Sequence, residues 1–269
     1  MNLWHSVMTG VMQGVTEFIP VSSSGHLILL YHLLGVNNQI PVLFDILLHV
    51  STLIVIFVIY RSQIKRLIQG AVSWVISSNR NPKLFITEKK TISLLFFCTV
   101  STGMVGFGIK FLGLIRNAQA TSAMLLITAL LLILARVMKS RGKNQIMSLS
   151  WKWALLVGLI QGLAVLPGIS RSGSTIAIGV ILGADYKTAS DFSFLSVIPA
   201  TLGALLFSLG EISDLSIVGD WFILIVGMAS AFIAGWISLK YLLRIIKKGQ
   251  LHYFSIYLIL VGVLGIVFL

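Results

Sequence analysis

The chain has 269 residues, of which 57% are hydrophobic and only 10% are charged, and its mean hydropathy is +0.99. A soluble domain carries about 25% charged residues, so the composition excludes an ordinary soluble protein and predicts an integral membrane protein. The net charge of +12 does not indicate nucleic-acid binding, because no basic face is interleaved with exposed aromatic residues.

Six apolar segments are long enough to cross a bilayer, which takes roughly 20 residues of helix. They are approximately 41–60, 91–113, 119–138, 190–209, 221–243 and 252–269. Most of the positive charge lies between them, with seven Lys or Arg in 61–90, five in 136–152 and four in 240–250. Positively charged loops stay in the cytoplasm, so these three regions are predicted to face inside. The acidic loop 210–220 is predicted to face outside.

Two further segments repeat each other. Residues 10–26 read GVMQGVTEFIPVSSSGH and residues 158–174 read GLIQGLAVLPGISRSGS, and they align without a gap. Both begin as an apolar helix and then break into a proline followed by a Ser/Gly-rich turn. They differ in their polar groups, since the first contains Glu17 and His26 and the second contains Arg171. A duplicated backbone with two different sets of polar groups predicts one site formed by both halves.

Charge also predicts how the repeated segments enter the membrane. Segment 153–184 follows an inside loop, and the span after it must also start inside, so this segment enters and returns on one side as a re-entrant hairpin turning at 167–174. By analogy, 3–35 is a hairpin from the outside turning at 20–25. The prediction is an all-α integral membrane protein with six transmembrane helices and two re-entrant helical hairpins in an inverted-topology repeat. It forms a single membrane domain, 1–269, with halves of about 1–138 and 139–269.

Inverted repeats with broken helices place their binding site near the middle of the membrane, where the half-helix ends meet. Each tip precedes a half helix whose N-terminus offers N–H groups and a positive dipole end. Arg171 adds a fixed positive charge in an apolar segment, where such a charge is functional by default. These features suit an anion, most naturally a phosphate. The alternative is that the small residues only let helices approach closely. The hydroxyl groups at the tips belong to Ser22, Ser23, Ser24, Ser170, Ser172, Ser174 and Thr175.

Glu17 is an ionisable group in an apolar segment, and Gln13 lies one helical turn before it. A carboxylate and an amide oxygen can hold a hard divalent cation when substrate and water supply further oxygens. The alternative is a buried, protonated Glu17 with one hydrogen bond. His26 follows the serine run and is a candidate nucleophile or general acid/base. Asp45 and Asp191 could orient Arg171 or cap their helices. A packing role is expected for the other histidines, which are His5, His32, His49 and His252.

Three stretches resemble the BacA/UppP-type undecaprenyl-diphosphate phosphatases. Residues 13–17 resemble the (Glu/Gln)-x-x-x-Glu motif of that family, residues 20–26 resemble the segment after it, and residues 167–175 resemble its Pro-Gly-x-Ser-Arg-Ser-x-x-Thr signature. Gln13 occupies the first acidic position, which leaves Glu17 as the only carboxylate of the motif. The resemblance covers essentially the whole chain.

The resemblance implies an inner-membrane hydrolase that converts undecaprenyl diphosphate to undecaprenyl phosphate and phosphate, recycling the carrier lipid for peptidoglycan. It also implies bacitracin resistance, a divalent cation such as Mg²⁺ or Ca²⁺, and a site opening to the extracytoplasmic side. The expected partners are the polyprenyl diphosphate and membrane lipids, with a homodimer left open. The alternative is a transporter or flippase of an anionic or polyprenyl-phosphate substrate.

On this interpretation the two tips have different roles in the reaction. Arg171 and the tip N–H groups hold the diphosphate, and a metal on Glu17 and Gln13 bridges phosphate oxygens. His26 is favoured as nucleophile or acid/base, with Ser23 or water as alternatives. The residues expected to bind substrate are Ser22, Ser24, Gly25, Gly168, Ser170, Ser172, Gly173 and Thr175.

Overall fold

The computed structural model describes residues 2–34, 42–75, 85–111, 118–138, 144–209 and 221–268. These residues form helices, with no β-strand among them, which confirms the predicted all-α class. A short 3-10 turn occupies Ile146–Ser148. The α-helices are α1 (Leu3–Phe18), α2 (Ser23–Leu34), α3 (Val42–Ile59), α4 (Arg61–Val75), α5 (Ile86–Phe111), α6 (Ala118–Val137), α7 (Trp151–Leu163), α8 (Arg171–Ile181), α9 (Tyr186–Leu209), α10 (Trp221–Lys247) and α11 (Tyr253–Phe268).

Four helices, α5, α6, α9 and α10, are long and apolar enough to cross a membrane. Helices α3 and α4 form a bent pair, with an angle of 82° between them, that could supply a fifth span. A multi-pass membrane protein is therefore confirmed. Each of the six predicted segments coincides with a helix, but α11 contains only 16 residues and is short for a span. The predicted exterior loop 210–220 lies outside the described residues.

Helix α4 occupies the first part of 61–90, the basic region that the sequence places between two spans. Ile64 and Leu67 are spaced for one helical face and pack against the core, so this segment folds as an amphipathic helix. Arg66 on α4 forms a 2.6 Å ion pair with Glu88 at the start of α5. This pair ties the helix to the rest of the fold.

Both repeated segments are broken helices, as predicted, but their turns are shorter than predicted. Helix α1 ends at Phe18 and α2 begins at Ser23, while α7 ends at Leu163 and α8 begins at Arg171. A proline in each gap cannot continue a helix. The chain reverses through left-handed backbone at Ser22 (φ 72°) in the first turn and Gly168 (φ 94°) in the second. The remaining tip residues therefore lie in the first turns of α2 and α8.

The first half of each broken helix packs on a long helix of the other half of the chain. Helix α1 lies along α10, and α7 lies along α5. A side chain at Gly10 would collide with the Gly227 carbonyl oxygen of α10, and one at Gly158 would collide with the Cys98 carbonyl oxygen of α5. Gly10 and Gly158 occupy equivalent repeat positions, so the repeat encodes the same close helix contact twice.

Other helix contacts also join the two halves of the chain. Helix α3 contacts α10, α9 contacts α5, and α6 packs along α11. Phe18 of α1 and Phe194 of α9 meet in the core with ring centroids 6.2 Å apart, so the two halves share one interior. Large apolar side chains are exposed on the outer faces of α5 and α11, as a lipid-facing surface requires.

Candidate active site

The tips of the two broken helices touch each other. The Ser22 hydroxyl oxygen accepts hydrogen bonds from the Gly25 N–H at 3.2 Å and from the Gly168 N–H of the other tip at 3.1 Å. A side chain at Gly25 would be 3.1 Å from the Gly168 Cα atom, so there is no room for one at this crossing. The structure thus brings together the two polar clusters that the sequence separates by more than a hundred residues.

Glu17 is the centre of this junction. Its side chain is buried, and its Oε1 atom forms an ion pair with Nη2 of Arg171 from the opposite tip. The Oε2 atom accepts a hydrogen bond from the Ser23 hydroxyl at 2.6 Å and another from Nε2 of Gln13 at 3.0 Å. Three of the predicted site residues therefore converge on one carboxylate. All three partners are donors, so both oxygens of Glu17 act as acceptors, as the oxygens of a carboxylate do.

Arg171 is the first residue of α8, directly after its N-cap Ser170, whose hydroxyl accepts from the Gly173 N–H at 3.1 Å. Its Nη1 atom also donates to the Thr201 hydroxyl of α9 at 3.2 Å. The planar guanidinium is thus fixed by two different helices. Its side chain is 22% exposed, so it remains accessible to a ligand. An arginine held in this way presents its remaining donors to a phosphate without reorganising.

His26 does not join the Glu17 cluster in the described contacts. Its Nδ1 atom lies 2.9 Å from the Ser22 carbonyl oxygen, and its Nε2 atom lies 2.8 Å from the Tyr257 hydroxyl of α11. A carbonyl oxygen can only accept, so Nδ1 carries a hydrogen, and in the neutral ring Nε2 then accepts from Tyr257. Both ring nitrogens are occupied, and this geometry does not favour the predicted role of His26 as nucleophile or base.

Several other hydroxyl groups at the tips are used within the protein. The Thr175 hydroxyl donates to the Arg171 carbonyl at 2.7 Å and lies 2.6 Å from the Ser193 hydroxyl. The Ser172 hydroxyl is 3.4 Å from that of Ser170. These residues shape the tip around Arg171. Ser24 lies in the first turn of α2 beside Ser23, and Gly25 and Gly173 sit at the contact between the tips.

The two repeat-related glutamines have different environments. Gln161 both accepts from the Ser196 hydroxyl at 2.7 Å and donates to the Ser196 carbonyl oxygen at 3.4 Å. Gln13 donates to Glu17, but its Oε1 atom is buried without a hydrogen-bond partner in the described structure. A buried acceptor of this kind calls for a partner, which can be a water or a bound cation. Gln13 Oε1 and Glu17 Oε2 are oxygens of the type that a hard cation prefers, and a cation held between them would take the place of the hydrogen bond from Gln13 to Oε2. No cluster of three or more His, Cys, Asp or Glu suited to a metal occurs among the described residues.

Sequence reasoning missed His49 and Thr201. The Nε2 atom of His49, on α3, lies 4.0 Å from Glu17 Oε2, and its Nδ1 atom is 2.9 Å from the Asp45 carbonyl oxygen. The one available signal was its place on the span that follows the first hairpin. Thr201 gave no signal, because a threonine in an apolar helix is ordinary. The described partners of Asp191 are Lys187 at 2.9 Å and the Tyr60 hydroxyl at 3.1 Å, so no described contact supports the suggestion that Asp191 orients Arg171.

Comparison with known proteins gives a consistent match. The family model described as "Bacitracin resistance protein BacA" matches residues 6–264. A protein named undecaprenyl-diphosphatase from Methanosphaera stadtmanae is 36% identical over 99% of this chain and 98% of its own length. One of the same name from Alkaliphilus metalliredigens is 36% identical over 100% and 99% of the two chains. Undecaprenyl-diphosphatase 1 of Bacillus cereus is 38% identical over 98% and 96%.

Proposed function

This chain belongs to the BacA family, and we propose that it hydrolyses undecaprenyl diphosphate at one site formed by the tips of its two broken helices. The chain is a membrane phosphatase that releases undecaprenyl phosphate and phosphate. This reaction returns the carrier lipid to envelope synthesis, and bacitracin resistance accompanies it. The observation that carries the site is the ion pair between Glu17 of one tip and Arg171 of the other.

Substrate binding begins with Arg171. Phosphoryl transfer needs neutralisation of charge on the phosphate oxygens more than covalent help. The guanidinium can offer the terminal phosphate the N–H donors that Glu17 and Thr201 leave unused. The amide N–H groups at the start of α8 lie beside it and add a positive dipole end. The prenyl chain then lies between helices, in lipid.

Ser23 is the nucleophile that the geometry favours over His26. Its hydroxyl already donates to Glu17 at 2.6 Å, the arrangement of a nucleophile with an adjacent base. Ser23 Oγ bonds to the terminal phosphorus, its proton passes to Glu17, and the bond from that phosphorus to the bridging oxygen breaks. Undecaprenyl phosphate leaves with the bridging oxygen. Water then attacks the phosphorus of the phosphoserine and keeps its protons on the released phosphate, the bond from phosphorus to Ser23 Oγ breaks, and Glu17 returns its proton to that oxygen. Direct attack by water that Glu17 activates is the competing route.

A divalent cation, Mg²⁺ or Ca²⁺, belongs to the same proposal. Glu17 and Gln13 would hold it through the carboxylate and the free amide oxygen. When bound, the cation would neutralise charge on the phosphate oxygens and polarise the phosphorus. Arg171 and Ser23 keep their roles in either case, because both contact Glu17 directly.

The proposal extends to the membrane arrangement. Six spans and two re-entrant hairpins in an inverted repeat are supported by the matching close contacts at Gly10 and Gly158 and by the meeting of the two tips. The distribution of Lys and Arg supports an inner-membrane protein whose site opens to the extracytoplasmic side. With Cys98 replaced, single cysteines at 211–220 should react with an impermeant thiol reagent in intact cells. Cysteines at 141–149 should react only after permeabilisation, and the reverse labelling would overturn this orientation.

The direct test is phosphate release by the purified protein in detergent from undecaprenyl diphosphate. We expect turnover that rises with added Mg²⁺ or Ca²⁺ and that Arg171→Ala removes. A folded wild-type protein that releases no phosphate at any cation concentration would refute the hydrolase assignment. Full activity in the presence of a strong chelator would refute the proposed metal but not the hydrolase assignment.

A further inference from the structure

The second tip is fastened by a buried hydroxyl outside the Glu17 cluster. Thr128 lies on α6, and its Oγ1 atom donates to the Gly168 carbonyl at 3.0 Å while accepting from the Ser170 N–H at 3.0 Å. Ser170 directly precedes Arg171. Thr128 has no exposed surface, so loss of its hydroxyl would leave a buried donor and a buried acceptor without partners.

The first tip is fastened by a different hydroxyl. Tyr257 of α11 donates to His26 Nε2 at 2.8 Å, with the two rings stacked and their centroids 5.5 Å apart. His26 in turn donates through Nδ1 to the Ser22 carbonyl at 2.9 Å. Ser22 has left-handed backbone, φ 72°, which costs energy for a residue with a side chain and persists only when its surroundings hold it. Ser22 directly precedes Ser23.

Each tip is held by a helix from the other half of the chain. Helix α6 ends the first half and holds the second tip, while α11 ends the second half and holds the first tip. These two helices also pack along each other. The packing of α6 on α11 therefore connects the two tips by a second route, through Thr128 on one side and Tyr257 with His26 on the other, in addition to the direct contact between the tips.

We propose that Thr128 and Tyr257 are positioning residues for phosphoryl transfer, which help to fix Arg171 and Ser23 at the distance that the reaction needs, and that Tyr257 acts on Ser22 through His26. This inference rests on the proposed roles of Ser23 and Arg171. Neither positioning residue touches the substrate. A misplacement of about 1 Å can cost on the order of 10²-fold in rate, so small changes at these hydroxyl groups should appear in kcat.

The experiment removes each hydroxyl without changing shape. Thr128→Val and Tyr257→Phe are compared with Thr99→Val on α5, whose hydroxyl donates to Leu95 of its own helix, and with Tyr253→Phe one turn earlier on α11. We expect kcat to fall about tenfold in the first pair, with KM changed by less than about twofold, because the loss is felt in the transition state. Thr128→Ser should restore kcat. The controls should match wild type.

A double-mutant cycle tests the relay. If Tyr257 acts through His26, Tyr257→Phe should lower kcat in the wild-type background but cause no further loss beside His26→Ala. The dependence of kcat on pH should keep its shape in both single variants, because neither residue exchanges a proton with substrate. Additive losses, or disappearance of one limb of the pH profile, would overturn the positioning role.

A variant that does not fold says nothing about the positioning role, so folding is measured separately. Thermal unfolding in detergent identifies a misfolded variant, and if Thr128→Val is one, Tyr257→Phe decides, since its ring and stacking are kept. Wild-type kcat in both Thr128→Val and Tyr257→Phe would refute the inference while wild-type and Arg171→Ala activities still report on the proposed function. An inactive wild-type protein would instead refute the function.

Discussion

Replacing Arg171 by Ala removes the only described contact that joins the Glu17 carboxylate to the other tip. The site loses its charge-assisted donors to phosphate, which is worth about 10²-fold or more in kcat/KM. The same change leaves Glu17 buried with an unpaired charge, and breaking a buried pair costs about 3–5 kcal/mol. The Ser23 and Gln13 hydrogen bonds to Glu17 persist, so the stability loss should lie at or below the lower end of that range.

The assay must separate these two effects. Phosphate release gives kcat/KM, and thermal unfolding in detergent gives stability. Arg66→Ala is the control, because Arg66 also pairs with a buried glutamate, Glu88, outside both tips; its side chain is 65% exposed, so the stability loss should be smaller than for Arg171→Ala. We expect Arg66→Ala to lose stability and keep turnover. Arg171→Lys should recover the fold but little activity, since an ammonium lacks the planar fork.

Near-normal kcat/KM in folded Arg171→Ala would refute the reasoning. The ion pair across the tips would then be a structural link, and the diphosphate would have to bind elsewhere. Equal loss of activity in Arg66→Ala and Arg171→Ala would also refute it, because activity would then follow stability rather than the site.

Glu17→Gln keeps the shape and hydrogen-bonding capacity of the side chain but removes the base. The value of kcat should fall by about 10²-fold or more, and the response to Mg²⁺ should weaken. An unchanged cation titration would make this carboxylate a packing group. Ser23→Ala should abolish turnover if the serine is the nucleophile, with Ser230→Ala on α10 as the control, whereas substantial remaining turnover would favour direct attack by water. Gly14→Val should lower the unfolding temperature, because its side chain would collide with α10, at a cost of about 1–3 kcal/mol. Gly103→Val has open space around it and should not.

The sequence predicts the two broken helices and three of the residues that meet at Glu17, for physical reasons. Charges such as Glu17 and Arg171 are expensive in apolar segments, so their presence signals a site. A repeated Pro and Ser/Gly pattern signals a break at the same place in each half. The role of Ser23 follows less directly, because three adjacent serines are equivalent in sequence. Only the structure shows that the Ser23 hydroxyl is the one that reaches Glu17.

Other parts of the site could not be predicted from the sequence because they depend on which helices become neighbours. Thr128, Thr201 and Tyr257 are ordinary residues of apolar helices, and each gains its role from a helix distant along the chain. His26 is the opposite case, because the sequence identified it as a candidate but did not predict its contacts. Its position in the tip fixes its backbone but not the direction of its ring, and α11 supplies a hydroxyl that binds it away from Glu17.

The repeat itself explains why one carboxylate can organise the site. Ser23 and Arg171 occupy equivalent positions in the two halves, yet both contact Glu17. In the inverted repeat proposed above, a residue that touches both members of an equivalent pair would lie close to the axis relating the halves, where such repeats concentrate their binding groups. Arginine at both positions would place two cations on one carboxylate and leave no hydroxyl beside it. With serine at one of them, the same scaffold would provide the proposed anchor for the anion on one side of Glu17 and the proposed nucleophile on the other.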